Sequence, residues 1–571
     1  MTDTNQTDPD RLLHAAQARI TGGLSPSAAA LALTDWALHL ANSPSRQAAL
    51  WGEAVQLQAQ FARWLVSGGK ADAPISEPQK DRRFRDDRWQ KQPYTAAAQG
   101  FLATEKLWDT ATQDIDGVSK HHLDMLRFGG RQVLDMLSPS NSPLLNPEIA
   151  ERIRETGGMN LFRGAQHMFE DWLRQRDGLP PAGTEAFRVG KELAVTPGKV
   201  VFRNDLIELI QYSPTTPQVR PQPVLFVPAW IMKYYILDLR PENSMVRWLV
   251  DQGFTVFMIS WRNPGAEMRD FGMSDYAEQG VLAALDAIAK IVPDQQVHTA
   301  GYCIGGTLLS LVAALLGQRG QDRLASVTLF AAQMDFSEAG ELMLFIDDSQ
   351  LAFLESMMAE KGYLESDQMS GAFQMLRSSD LIWSRMVRDY LMGERAPVID
   401  LLAWSADATR MPARMHSEYL RKLFLDNDFA GGRYHLGDTL VTPPDIPAPI
   451  FQVGTEADHV APWQSAFKVA LLTDVDVTFV LTSGGHNAGI VSPPGHPRRH
   501  YRIGTLAEDT PLTAPEDWLA QTPELPGSWW PAWAEWLAAR SGDPVKPPAM
   551  GAPRRGLKVL ADAPGTYVLE R

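Results

Sequence analysis

The chain has 571 residues, 44% of them hydrophobic and a single one cysteine, enough apolar material for two or three domains with at least one large core. A formal net charge of −15 argues against a nucleic-acid partner, whose phosphates require a basic face. One thiol allows neither an internal disulfide nor a multi-cysteine metal site. No metal and no bound cofactor are expected.

Residues 1–10 are polar and acidic, without the basic flank and apolar core of a secretory signal. The most apolar run, residues 308–316, falls short of the roughly 20 residues that cross a bilayer. The expectation is a cytoplasmic protein with no transmembrane segment.

In chain order, residues 1–196 predict a helical N-terminal domain, with apolar stretches at 28–40, 48–65 and 123–136 broken by polar and proline-containing turns. The first ten residues and the charged stretch 68–90 show little periodicity and read as loop or mobile segment. From residue 197 short β-branched runs alternate with amphipathic helices, the pattern of a parallel sheet covered on both faces. Strands are expected at 200–203, 207–212, 224–227, 255–260, 297–302, 326–331, 450–453 and 478–481, and helices at 244–251, 276–291, 305–316 and 463–471. The alternation stops over 336–440, where methionine-, leucine- and aromatic-rich helical segments read as a cap inserted into a catalytic core of residues 197–335 and 441–542. Residues 543–571 are rich in proline and glycine and are expected to wrap the surface or stay mobile.

The chemistry centres on Gly301-Tyr302-Cys303-Ile304-Gly305-Gly306, which follows one predicted strand and precedes a predicted helix. A G-x-nucleophile-x-G turn needs small flanking residues because the nucleophile is held in a strained conformation between a closely packed strand and helix. The turn lifts Cys303 above the sheet, points a helix N-terminus at it and presents the Ile304 N–H as an oxyanion donor.

Such an elbow predicts an acid and then a histidine further along the chain. After the strand at 450–453 comes Gly454-Thr455-Glu456-Ala457-Asp458-His459, where Glu456 and Asp458 compete for the acid. After the strand at 478–481 comes Ser483-Gly484-Gly485-His486-Asn487, a glycine-flanked histidine suited to a base. Its rivals are His298 on a strand, His459 beside the acid, and His496 and His500 at solvated loop positions in a basic stretch. Arg498 and Arg499 are either phosphate contacts for coenzyme A or a solvated basic turn. Trp529, Trp530, Trp533 and Trp536, at near-helical spacing, read as a last helix packed on the sheet.

From about residue 101 to residue 537 the chain resembles the polyhydroxyalkanoate synthases. The likeness rests on Pro228-Ala229-Trp230-Ile231-Met232-Lys233-Tyr234-Tyr235, Ser138-Pro139-Ser140-Asn141, Trp404-Ser405-Ala406-Asp407-Ala408-Thr409 and Pro526-Gly527-Ser528-Trp529-Trp530, together with the elbow. The chain departs from the commoner pattern at Ala229 and Met232, where a second proline and an asparagine are frequent. The resemblance implies an α/β-hydrolase fold with a helical cap and a helical N-terminal domain, of the single-subunit class. It implies Cys303 as nucleophile, Asp458 as acid, His486 as base and the Ile231 N–H as second oxyanion donor. It also implies polymerisation of (R)-3-hydroxyacyl-CoA, preferably 3-hydroxybutyryl-CoA, with release of CoA. A homodimer at the surface of cytoplasmic polyester granules would follow.

The same triad serves a thiol-dependent thioesterase or polyester depolymerase, and a silent granule-binding scaffold would retain the fold. Exclusion of water from the site separates polymerisation from hydrolysis.

Overall fold

The computed structural model describes residues 9–21, 23–376, 378–507 and 513–571. Residues 1–8, most of the stretch expected to be mobile at the start, lie outside them.

Strands β1 (Gly198–Arg203), β2 (Ile207–Tyr212), β3 (Val224–Val227), β4 (Val256–Trp261), β5 (Val297–Tyr302), β6 (Leu324–Phe330), β7 (Ile450–Thr455), β8 (Val477–Thr482), β9 (His500–Leu506), β10 (Leu525–Pro526) and β11 (Ala561–Asp562) form one sheet. Its order is β10-β9-β8-β7-β6-β5-β3-β4-β2-β1-β11. The middle, from β4 to β8, is parallel, and both flanks are antiparallel. The exchange of β3 and β4 puts the chain's change of winding direction beside β5, where open α/β sheets carry their sites at the carboxyl ends of the strands.

Every residue of β2, β3, β4, β5, β7 and β8 is buried, which is why these strands read as apolar runs without alternation. Their side chains divide between two cores by the two-residue period of a strand. Leu225, Val227, Phe257 and Ile259 join one core with the helices Ala283–Ile291 and Ile304–Gln318. Val224, Phe226, Val256 and Met258 join the other with Met245–Asp251 and Trp530–Ala538. Trp529, Trp530 and Trp533 are fully buried under the sheet, and the Trp533 Nε1 donates to Thr328 Oγ1 at 3.0 Å. Trp533→Ala is therefore expected to cost about 3–5 kcal/mol, readable as a lowered denaturant midpoint.

Two expectations are corrected. The stretch 68–90 is ordered: Phe84 and Trp89 are buried and meet edge-on at 4.9 Å. Beside Phe84, Arg83 pairs with Asp81, Glu105 and Asp135. Two anchors are too few to register as periodicity. His500 opens β9 instead of lying in a solvated loop; β9 is half-buried along its length, so no apolar run marks it. The helix expected at 276–291 is present, π-helical over Tyr276–Leu282 and α-helical over Ala283–Ile291.

The C-terminal segment lies on the sheet and pairs with it. Ala561–Asp562 pairs with β1, Val568 is buried, and the buried Glu208 carboxylate accepts from the Thr566 and Tyr567 N–H groups at 2.8 and 3.0 Å.

Between β6 and β7 lies a long helical insertion. The N-terminal helices grip it: Asn160 Nδ2 donates to the Leu391 carbonyl at 2.7 Å, and Arg395 bonds the His167 carbonyl and Asp171. A Cβ on Gly164 would lie 1.7 Å from the Tyr390 carbonyl oxygen, so glycine is what lets helix Met159–Arg176 approach this closely.

Candidate active site

Cys303 stands between β5 and the helix Ile304–Gln318 with φ 55° and ψ −130°, a conformation costly for a side-chain-bearing residue. Neighbouring peptide groups enforce it. The Cys303 N–H donates to the Phe330 carbonyl at 2.9 Å, and its carbonyl accepts from Gly306 and Thr307. A Cβ on Gly301 would fall 2.4 Å from Gly306 Cα, and one on Gly305 would fall 2.3 Å from the Val227 carbonyl oxygen. The flanking glycines are thus required by contact with β3 and with each other, as the motif's logic demands. The helix ladder begins at Gly306 and leaves the Ile304 N–H ahead of it.

Asp458 and His486 follow the carboxyl ends of β7 and β8, two adjacent parallel strands. Backbone bonds join their loops: the Glu456 N–H to the Thr482 carbonyl at 3.0 Å and the Ala457 N–H to the Gly484 carbonyl at 2.9 Å. His486 Nδ1 donates to Asp458 Oδ2 at 2.8 Å. The other carboxylate oxygen accepts from the Val460 and Ala461 N–H groups, each at 2.9 Å, and Thr455 Oγ1 donates to Oδ2 at 3.1 Å. Burial works against the Asp458 charge, yet His486 and the backbone donors outweigh it and hold the carboxyl below its usual range. Burial likewise opposes an imidazolium, but Asp458 on one side and Cys303 on the other hold the His486 pKa well above the usual histidine value.

The rivals are spoken for. Glu456 pairs with His500 Nε2 at 3.0 Å, away from the imidazole of His486. His298 is buried between Ser326 and Ser541, and burial lowers its pKa to about 4. His496 bonds the Pro497 carbonyl in an exposed turn.

Arg499 is half-buried and bonded to backbone, unlike the solvated turn expected. Its guanidinium donates to the Ser483 and Ala488 carbonyls at 3.0 and 2.7 Å, staking both ends of the His486 loop. The Trp529 Nε1 adds a bond to the Gly489 carbonyl at 3.0 Å. The sequence signal for Arg499 was only its closeness to His486.

Ile231 lies in the loop after β3, whose carbonyls are claimed from several sides. The Trp261 Nε1 donates to the Pro228 carbonyl at 2.8 Å and the Trp404 Nε1 to the Lys233 carbonyl at 2.7 Å. The Thr409 Oγ1 donates to the Trp230 carbonyl at 2.5 Å. Tyr419, in a π-helical run over Tyr419–Leu425, packs against the same core as Cys303, and burial, with the charge of Cys303 after it, raises its pKa. Neither Tyr419 nor Thr409 carried a catalytic signal in the sequence. Among the described residues no cluster of His, Cys, Asp and Glu could hold a metal ion.

A parallel sheet ordered with β3 between β4 and β5, a nucleophile elbow after β5, an acid after β7 and a histidine after β8 define an α/β-hydrolase-fold protein. The family model described as alpha/beta hydrolase fold matches residues 222–491. Those described as Poly-beta-hydroxybutyrate polymerase (PhaC) N-terminus and Poly-beta-hydroxybutyrate polymerase N terminal match residues 80–249 and 5–46.

A Poly(3-hydroxyalkanoate) polymerase of Methylorubrum extorquens is 41% identical over 88% of this chain and 83% of its own length. The Poly(3-hydroxyalkanoate) polymerase subunit PhaC of Rhizobium meliloti (strain 1021) is 38% identical over 89% and 82%. The protein of the same name from Cupriavidus necator is 36% identical over 89% and 86%. The chain belongs to the poly(3-hydroxyalkanoate) polymerase family, acyltransferases that make polyester. Among its described residues no helix is long and apolar enough to cross a membrane.

Proposed function

We propose that the chain polymerises (R)-3-hydroxyacyl-CoA, with 3-hydroxybutyryl-CoA as the preferred unit, through a thioester on Cys303. The observation that carries this reading is the strained Cys303 elbow beside a His486 imidazole anchored on Asp458. His486 takes the thiol proton as Cys303 Sγ attacks the thioester carbonyl, and the Ile304 and Ile231 N–H groups hold the oxyanion. Collapse of the intermediate breaks the bond to CoA sulfur, which leaves with the proton from His486. The acyl group remains a thioester, so loading is nearly isoenergetic. The 3-hydroxyl of another unit then attacks the acyl-cysteine; its proton passes to His486 and on to the departing Cys303 sulfur, and an oxygen ester forms.

The buried Asp458 carboxylate, with its four bonded partners, supports a role in orienting His486 and stabilising its charge. The insertion, whose Tyr419 packs against the same core as Cys303, supports a cap that limits water at the thioester. The same reading carries a homodimer at the surface of polyester granules in the cytoplasm.

Purified protein given (R)-3-hydroxybutyryl-CoA is expected to release CoA while insoluble polyester accumulates, with slower release for longer acyl chains. CoA release accompanied only by free hydroxy acid would instead establish a thioesterase.

A further inference from the structure

We infer that Thr409, contributed by the insertion, is the positioning residue that aims the oxyanion amide of Ile231. The inference rests on the proposed use of that amide and deepens it.

The argument begins with the peptide unit. The Trp230 carbonyl and the Ile231 N–H belong to one planar, trans amide and point in opposite directions. Whatever fixes the carbonyl therefore fixes the direction of the N–H. Thr409 is buried, and its hydroxyl donates to the Trp230 carbonyl at 2.5 Å. The bond also draws electron density toward the carbonyl oxygen and makes the N–H across the same amide a stronger donor.

The next peptide is held as well, because the Thr409 N–H reaches the Ile231 carbonyl at 3.3 Å. Beside it Met232 and Ala408 form an antiparallel bridge. One residue of the insertion thus bonds two successive carbonyls of the loop after β3, and these two carbonyls bracket the Ile231 N–H.

Thr409 is itself anchored on rigid partners. The following N–H, of Arg410, donates to Asn263 Oδ1 at 2.9 Å, and the Asn263 N–H donates to Glu570 Oε2 at 3.2 Å. Glu570 closes the circuit: its carbonyl accepts from the buried Lys233 Nζ at 2.6 Å, at the far end of the same loop. The insertion, the loop after β4 and the C-terminal segment converge on four residues of backbone.

Thr409→Val keeps the β-branched shape and removes the donor, whereas Thr409→Ser keeps the donor. For Thr409→Val, kcat for CoA release is expected to fall about 10- to 100-fold, below the loss from deleting an oxyanion donor outright. KM should stay within about threefold. Alkylation of Cys303 by iodoacetamide develops no oxyanion and should keep its rate. Hydrogen exchange across residues 228–233 should accelerate. Thr409→Ser should restore kcat to within about threefold of the parent and restore slow exchange.

The inference is overturned if Thr409→Val keeps the parent kcat and exchange, if Thr409→Ser falls as far as Thr409→Val, or if alkylation slows in step with turnover. Failure of the underlying mechanism gives a different result, CoA release that persists in Cys303→Ala. The exchange measurement still tests the clamp in that case.

Discussion

Cys303→Ala is expected to abolish CoA release, with a loss of about 10⁵-fold or more, the scale seen when a covalent nucleophile is removed from a site whose members act as a unit. The chain has no other cysteine, so no neighbouring thiol can substitute. The variant should fold: the elbow geometry is imposed by the Phe330 carbonyl and the contacts around Gly301 and Gly305, and alanine accepts the same backbone at similar cost. A melting temperature close to the parent's, with CoA release at background, is the expected pair of readings. Substantial release would remove Cys303 from the mechanism.

Asp458→Asn is expected to lower kcat by about 10³- to 10⁴-fold, as when a buried triad acid loses its charge while the geometry survives. Its cause can be read separately. Burial opposes the imidazolium of His486, and the Asp458 carboxylate does much to overcome it. With a neutral amide in its place, the His486 titration should move down, measurable from its imidazole resonances.

Stability should respond in a matching way. The raised His486 pKa contributes fully below the ordinary value of 6.5 and is lost as pH rises through the folded-state pKa. The lowered Asp458 pKa contributes fully above the ordinary value of 3.8 and is lost as pH falls through the folded-state pKa. The pair's contribution is complete between those two ordinary values, and Asp458→Asn should flatten both limbs in thermal melts across pH. An unchanged His486 titration in the variant would refute the coupling.

The parts of the site legible in the sequence are those with local causes. The elbow announces itself because Gly301, Cys303 and Gly305 must all fit one turn. The acid and base can be ordered because they follow recognisable buried strands. Glu456 and Asp458 could not be separated by residue type alone, being two positions apart in one loop. What distinguishes them is three-dimensional: the Val460 and Ala461 amides converge on Asp458, whereas Glu456 reaches across to His500 on β9.

The positioning bonds of Arg499, Thr409 and the Glu570 carbonyl were not legible for a related reason, although Arg499 stood out as a basic neighbour of the His486 loop and Thr409 as part of a family motif. Their partners lie far away in sequence or are main-chain carbonyls, which leave no trace in side-chain patterning. Phe84 and Trp89 show the same limit on the fold, since a turn pinned by two aromatics carries no period.

The pairing of Ala561–Asp562 with β1 and the bond from Lys233 to the Glu570 carbonyl also tie the loop after β3 and its neighbouring sheet edge to residues 561–570. They join positions more than 300 residues apart, contacts of the kind that form late because the intervening chain must first be made and closed into a loop. On the ribosome, a nascent chain that has exposed Cys303, Asp458 and His486 still lacks the segment that secures the loop after β3. A chain truncated after residue 560 should therefore keep the elbow and the Asp458–His486 pair yet lose the bonds that residues 566–570 make to Glu208, Asn263 and Lys233.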